Sequence, residues 1–375
     1  MKREAYAAAR TVSPAVHDYF ARHLQQASGG PHLAPLPPAE AIEAIIDASF
    51  WASLRREEGF VPRISLAYLA PEHIPGAHDA LRFERPLALA PGALTRIAPA
   101  VERPGVHLGV WLENGELYVW GTTRDIPRYC FVLEVAAPGL LVIKHHSGDE
   151  SGKFVNVAVL EGDEIRLIDE SAPSQPDCPA MVTSLLGFNS PSSWVQSVNV
   201  LVQLAVSMRA HGRGGALLVV RSDDEAWHES ILPPMTYAVT PPFTKLAELT
   251  APGIESDPAE CARTIDWIAG LTAVDGATLM NDRYELLGFG AKIARRRGSE
   301  PVDQVMVTEP VQGMRPALVH PGELGGTRHL SAAQFVHDQR NAIALVASMD
   351  GRFTVFEWSS CYDQVHAHRV EMLLR

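Results

Sequence analysis

The stretch "GGALLVV", residues 214–220, is apolar throughout and is preceded by no polar alternation. A run of strand length with this composition suits a strand buried on both faces, in a sheet covered by helices on either side. Just upstream, "SWVQSVNVLVQLAVSMRAHG" (193–212) reads as a long helix with apolar periodicity that ends at Gly212. Downstream, "GATLM" (276–280), "ELLGFGAKI" (285–293), "QVMVT" (304–308) and "AIALVASM" (342–349) read as further buried strands. Helical stretches at 256–270 and 330–340 alternate with them, so the second half of the chain is expected to be an α/β domain.

The first half has a different pattern. "VSPAVHDYFARHLQQA" (12–27) predicts a helix capped by Ser13, with Pro14 in its first turn and Val16, Tyr19, Phe20 and Leu24 on one face. After the break "GGPHLAPLPPAE", a second helix starts near Pro38, with Ile42, Ile45, Ile46, Phe50 and Leu54 at helical spacing and Glu57 and Glu58 facing water. From about 63 to 170 the runs are strand-like. The clearest is "HLGVWLENGELYVWGTT" (107–123), where Asn114-Gly115 favours a tight hairpin turn. "CFVLEVA", "GLLVIKHH", "FVNVAVLEG" and "EIRLIDE" follow, which together predict an antiparallel sheet in an α+β domain. The Pro, Ser and Asp-rich segment "DESAPSQPDCPA" (169–180) reads as the linker, giving expected domains at 1–180 and 181–375.

A chain of 375 residues is long enough for two such domains, and 46% hydrophobic with 20% charged residues is an ordinary globular composition. The formal net charge of -12 argues against nucleic-acid binding, because phosphate neutralisation needs a basic face. An anionic small ligand would therefore need a local basic pocket. The cysteines at 130, 178, 261 and 361 form no CxxC pair, so neither a disulfide framework nor a zinc ribbon is indicated. "MKREAYAAARTVSP" has no apolar core of signal-peptide length, and nowhere do about 18 apolar residues run uninterrupted. The expectation is a cytoplasmic protein with no membrane partner.

Three segments of the second half carry chemistry: "VDGATLM" (274–280), "GGTRHLSA" (325–332) and "ASMDGRF" (347–353). Each joins an apolar strand to a loop or helix, where open α/β folds collect ligand-binding groups. The carboxylate of Asp275 suits magnesium or manganese, although Asp-Gly is equally the dipeptide of a plain turn. Arg328 can grip phosphate oxygens at a helix start, and the same residues read otherwise as a surface Arg-His pair beside a glycine turn. Asp350 offers a second carboxylate. The basic run "KIARRRG" (292–298) is either a positive patch that attracts a nucleoside triphosphate or a solvated loop. His145-His146 and His366/His368 lack the further partners a zinc site needs. No GxSxG elbow or Walker A loop is present, and the tryptophans at 111, 120, 194 and 227 suit core or hairpin packing.

Taken in order, "GGALLVV", Asp275-Gly276-Ala277, Gly326-Thr327-Arg328-His329 and, more loosely, "AIALVASMDG" resemble the diadenylate cyclase (DAC) domain, over roughly residues 185–360. The resemblance implies an α/β fold with a mixed central sheet flanked by helices. It also implies a metal-dependent condensation of two ATP into cyclic di-AMP and two pyrophosphates, with Mg²⁺ or Mn²⁺ as cofactor. A homodimer or higher oligomer is implied, in which two sites face each other and a 3′-hydroxyl attacks the opposite α-phosphate. Asp275 would bind the metal and help activate that hydroxyl, with Gly276 and Ala277 close to the nucleotide. Gly326, Thr327, Arg328 and His329 would hold the phosphates, and Arg328 would offset charge on the α-phosphate. Ser348 and Asp350 fall where the family places nucleotide and metal contacts. Two positions depart from the pattern: Leu330 replaces the second arginine of the Arg-His-Arg motif, and Met349-Asp350 replaces an acidic pair. The alternative reading is a nucleotide-binding sensor that has kept the pocket and lost the chemistry. The first half is similar in architecture alone to sensor domains that precede some cyclase domains.

Overall fold

The computed structural model describes residues 5–27, 33–56, 61–74, 80–102, 105–146, 154–168, 200–251 and 257–374. The chain divides into two compact units, Met1–Ile168 and Asp169–Arg375. The expected linker at 169–180, and with it the domain boundary, lies outside the described residues, as do Glu57, Glu58, Cys178 and Trp194.

The first unit contains helices α1 (Ala7–Gln26), α2 (Ala39–Ser53) and α3 (Pro91–Ile97). Its strands are β1 (Ile64–Tyr68), β2 (Ala80–Ala88), β3 (His107–Glu113), β4 (Glu116–Thr123), β5 (Phe131–Ala137), β6 (Leu140–His146), β7 (Phe154–Glu161) and β8 (Glu164–Leu167). They form one sheet in the order β2-β4-β3-β1-β5-β6-β7-β8. The sheet is mixed rather than purely antiparallel, because β1 pairs parallel with β3, Leu66 opposite Leu108. The chain leaves β1 and returns through β2 and α3 instead of a two-residue turn, a connection long enough for a parallel neighbour. The hairpin at Asn114-Gly115 forms as expected, with φ of 52° and 84° at those residues.

Helix α1 begins at Ala7, ahead of the expected cap at Ser13, and runs through Pro14. Proline has no N–H to give the carbonyl four residues back. The Ser13 hydroxyl donates to that carbonyl, of Arg10, at 3.4 Å. Val16 and Phe20 of α1 and Ile42, Ile45 and Ile46 of α2 bury their side chains in one core with Leu66, Leu108 and Phe131 of the sheet.

In the second unit the helices are α4 (Val200–Ala210), α5 (Lys245–Leu249), α6 (Pro258–Leu271), α7 (Pro321–Leu324) and α8 (Thr327–Asp338). Its strands are β9 (Gly215–Val220), β10 (Tyr237–Phe243), β11 (Ala277–Asn281), β12 (Leu286–Ala291), β13 (Val305–Thr308), β14 (Ala317–Val319), β15 (Ile343–Ala347), β16 (Phe353–Ser359) and β17 (Gln364–Arg369). They form a mixed sheet in the order β10-β12-β11-β9-β15-β16-β17-β13-β14. Leu217, Val219 and Leu345 point to a core with Leu201, Leu204, Ile265 and Ile268 of α4 and α6. On the opposite face Ala216, Leu218 and Val346 pack with Ala332, Ala333, Phe335 and Val336 of α8. Every residue of β9 is therefore buried, which is why its sequence shows no alternation.

Strand directions decide where the site lies. β11 runs parallel to β9, with Thr278 opposite Leu217, whereas β15 is antiparallel to β9, with Ala347 opposite Gly215. β12 is antiparallel to β11, with Ala277 opposite Ala291. The starts of β9 and β11 and the ends of β12 and β15 thus meet at one end of the sheet.

Candidate functional site

All three chemistry-bearing segments come to that end. Asp275 and Gly276 lead into β11, Ser348 to Asp350 follow β15, and α8 brings Arg328. The guanidinium of Arg328 is located by its neighbours: a Cβ placed on Gly214 would lie 3.3 Å from Arg328 Nη1, 3.3 Å from the Ala347 carbonyl and 3.4 Å from Met349 Cγ. Arg328 therefore stands over the start of β9 and the end of β15. It is half-buried and makes no hydrogen bond or ion pair among the described residues.

Asp275 is exposed, and its Oδ2 accepts a hydrogen bond from Lys292 Nζ at 2.6 Å. The Lys292 ammonium, and from further off the Arg328 guanidinium, hold its carboxyl below the usual range. Gly276 has φ of 112°, and a side chain there would meet the backbone carbon of Gly290 at 2.6 Å. Only glycine permits both that backbone conformation and the close approach of β12. Ala277 opens β11 and is buried.

At the N-terminus of α8, Gly326 is the capping residue and no side chain accepts from the first-turn N–H groups. These groups and the exposed Gly326 and Thr327 leave partial positive charge open to solvent. His329 turns the other way. Its ring lies under Gly325, where any Cβ would collide with it, and it packs edge-on to Phe356. Burial pushes its pKa down to about 4, so the imidazole is neutral at pH 7, and its buried Nε2 has no hydrogen-bond partner among the described residues. Leu330, by contrast, projects outward from the first turn.

Ser348 to Arg352 form the turn between β15 and β16. The Ser348 N–H donates to the Arg352 carbonyl at 2.9 Å, and Asp350 pairs with Arg352 Nε at 3.4 Å. Partial burial would raise the Asp350 carboxyl, but the Ser348 hydroxyl and the Arg352 backbone N–H outweigh it and lower it. Its charge is thus engaged within its own turn.

No group of three or more His, Cys, Asp or Glu side chains that could hold a metal ion occurs among the described residues. A divalent ion here would need oxygens from another source. One carboxylate with phosphate oxygens meets the needs of Mg²⁺, and Asp275, which is exposed and ion-paired with Lys292, can supply that carboxylate.

One histidine of each of the two His pairs, and Trp120, have partners away from this end. His145 Nε2 lies 3.2 Å from the Tyr19 hydroxyl, and His368 is held between Glu357 at 2.9 Å and Thr308 at 2.7 Å. Trp120 donates to the Leu69 carbonyl at 2.7 Å from within the core. In the run 292–298, Arg296 pairs with Glu229 at 2.6 Å, whereas Lys292 reaches Asp275. Sequence reasoning missed the special place of Lys292, and also the close approach of Gly214 to Arg328 and of Gly325 to the His329 ring. The adjacent glycine pairs 214–215 and 325–326 carried that signal.

Residues 31–124 match the family model of DACNV, described as a probable sensor domain. That match falls within the first unit and agrees with a sensor domain there. No curated protein matches the chain. Among the described residues, no helix is long and apolar enough to cross a membrane.

Proposed function

We propose that this protein is a diadenylate cyclase that condenses two ATP into cyclic di-AMP and two pyrophosphates, with its first unit as a sensor. The observation that carries this reading is the guanidinium of Arg328, which has no hydrogen bond or ion pair among the described residues and stands at a helix start without a side-chain cap, within electrostatic reach of the Asp275 carboxylate. Further support comes from the sensor-family match, because that domain is typically found together with diadenylate cyclase domains.

In this reading Arg328, Thr327 and the N–H groups of Gly326 and its neighbours bind the phosphates. As pyrophosphate leaves, charge grows on the transferring phosphoryl group, and the fixed guanidinium offsets it. Asp275 would hold Mg²⁺ or Mn²⁺ that arrives with the triphosphate, and the ion would neutralise phosphate charge. Gly276 and Ala277 let the nucleotide approach the start of β11, and Ser348 supplies a hydroxyl at the end of β15. His329 acts from below as a neutral support for the 325–326 loop. Two copies of the chain, each with one ATP, would present each 3′-hydroxyl to the other's α-phosphate.

Two observations favour a second reading, a nucleotide-binding sensor without turnover. Leu330 puts an apolar side chain on the first turn of α8, and Asp350 is committed to its own turn. Incubation of the purified protein with ATP and Mg²⁺ or Mn²⁺, with products identified by chromatography and mass spectrometry, separates the two. Cyclic di-AMP that disappears in a folded Asp275→Asn variant is the expected result. No product from ATP, GTP or their mixture at high protein concentration would overturn the cyclase, and calorimetric binding of ATP would then support the sensor.

A further inference from the structure

Lys292 follows β12 directly, and the pairing of Ala277 with Ala291 sets it beside Asp275 across two strands. Its ammonium contacts Asp275 Oδ2 at 2.6 Å, with side-chain exposures of 50% for the lysine and 91% for the aspartate. An ion pair so open to water is weak, because solvent screens the charges and both side chains lose freedom to make it. The contact is therefore exchangeable. Both partners are charged groups at the end of the sheet where Arg328 stands unpaired, and Leu330, exposed on the first turn of α8, contributes no charge there.

We propose that Lys292 is a second phosphate-binding cation of this site, stored on Asp275 in an exchangeable contact and given up to the triphosphate when nucleotide enters, the more readily when a divalent ion takes over that carboxylate. The proposal rests on the nucleotide-binding reading above. A lysine suits the role, since its compact ammonium on a four-carbon stem can exchange one oxygen partner for another without a fixed geometry. The metal and the ammonium compete for Asp275, while the ammonium and the triphosphate attract. Removing Lys292 should thus move two affinities in opposite directions, which the loss of a merely structural ion pair would not do.

The test uses the full chain and its Lys292→Gln and Lys292→Arg variants. Mn²⁺ binding without nucleotide is read by electron paramagnetic resonance, and ATP binding in excess EDTA by calorimetry. Lys292→Gln should bind Mn²⁺ about threefold to fivefold more tightly, the scale of an exposed ion pair. It should bind metal-free ATP about tenfold more weakly, the scale of a charge-assisted hydrogen bond. Lys292→Arg should restore ATP binding. Unchanged affinities, or two that move in the same direction, would overturn the role of Lys292 while leaving the nucleotide site intact. A wild-type chain that binds neither ATP nor Mn²⁺ would overturn the nucleotide reading and this proposal together.

Discussion

At one end of the sheet in the second unit, Arg328 stands over Gly214 without an ion pair among the described residues, and Asp275 pairs with one exposed lysine. At the other end, beyond Val220 of β9 and before Ile343 of β15, three arginines line a cleft of about 240 Å³ with Trp227 and Asp338. Each of those three is committed. Arg221 meets Asp223 through two contacts of 2.8 Å, Arg296 meets Glu229 at 2.6 Å, and Arg340 meets Asp363 at 3.3 Å while lying 3.8 Å over the Trp358 ring. The difference teaches that arginine count does not locate an anion site. A guanidinium paired with a carboxylate must give that partner up before it can bind phosphate, whereas one held without a partner has its donors free.

The largest effect expected from this contrast is on turnover. Arg328→Ala should lower the rate of cyclic di-AMP formation by at least ~10²-fold, the scale for losing a fixed donor aimed at developing charge. Steady-state product analysis checks it. A variant that keeps more than a tenth of the rate would place the reacting phosphate elsewhere and erase the distinction between the two ends.

How much of this could be read from the chain alone differs by element. β9 was legible because burial on both faces removes every polar residue, and a sheet with helices on both sides follows from that run. The start of α1 was not, since Ser13-Pro14 mimics a helix start while the serine hydroxyl in fact serves a carbonyl the proline leaves open. The parallel pairing of β1 with β3 was hidden for another reason: no local pattern encodes which distant strand becomes a neighbour. Among the candidate site residues, Asp275 and Arg328 stand in short motifs that the sequence displays. The Lys292 contact depends on the register of β11 and β12, and the neutrality of His329 depends on its place beneath Gly325, so neither is written in a short motif.

The second effect concerns the support beneath Arg328. Burial lowers the His329 pKa from 6.5 to about 4, with Arg352 and Arg369 also opposing the charged form and Asp350 and Glu371 favouring it. Between pH 6.5 and pH 4 the unfolded chain takes up a proton that the folded ring refuses. The penalty is absent above that window and grows as pH falls through it, to about 3 kcal/mol. Denaturant unfolding should therefore show that wild type loses about 3 kcal/mol more than His329→Gln between neutral pH and pH 4. Parallel pH curves would mean that the ring titrates in the fold as it does in the unfolded chain, so that below pH 6.5 a third cation would join Arg328 and Lys292 at the site end.

The smallest effect is the control at the opposite end. Arg340 has a guanidinium over an indole and one exposed carboxylate partner, so it resembles a binding residue by type. Its guanidinium nonetheless has a carboxylate and an aromatic face to hold it, and it follows α8 at the end away from Arg328. Arg340→Ala should cost about 1 kcal/mol of stability from the lost cation–π contact and weak ion pair. Turnover should stay within about twofold of wild type, as expected for a site with no shared partner. Denaturant unfolding and product analysis on the same preparation read both quantities. A large loss of turnover without a matching loss of stability would show that the two ends are coupled through α8, since the helix carries Arg328 at its start and leads into Arg340 at its finish. The contrast between a free and a satisfied guanidinium would then describe two states of one device rather than a site and its scaffold.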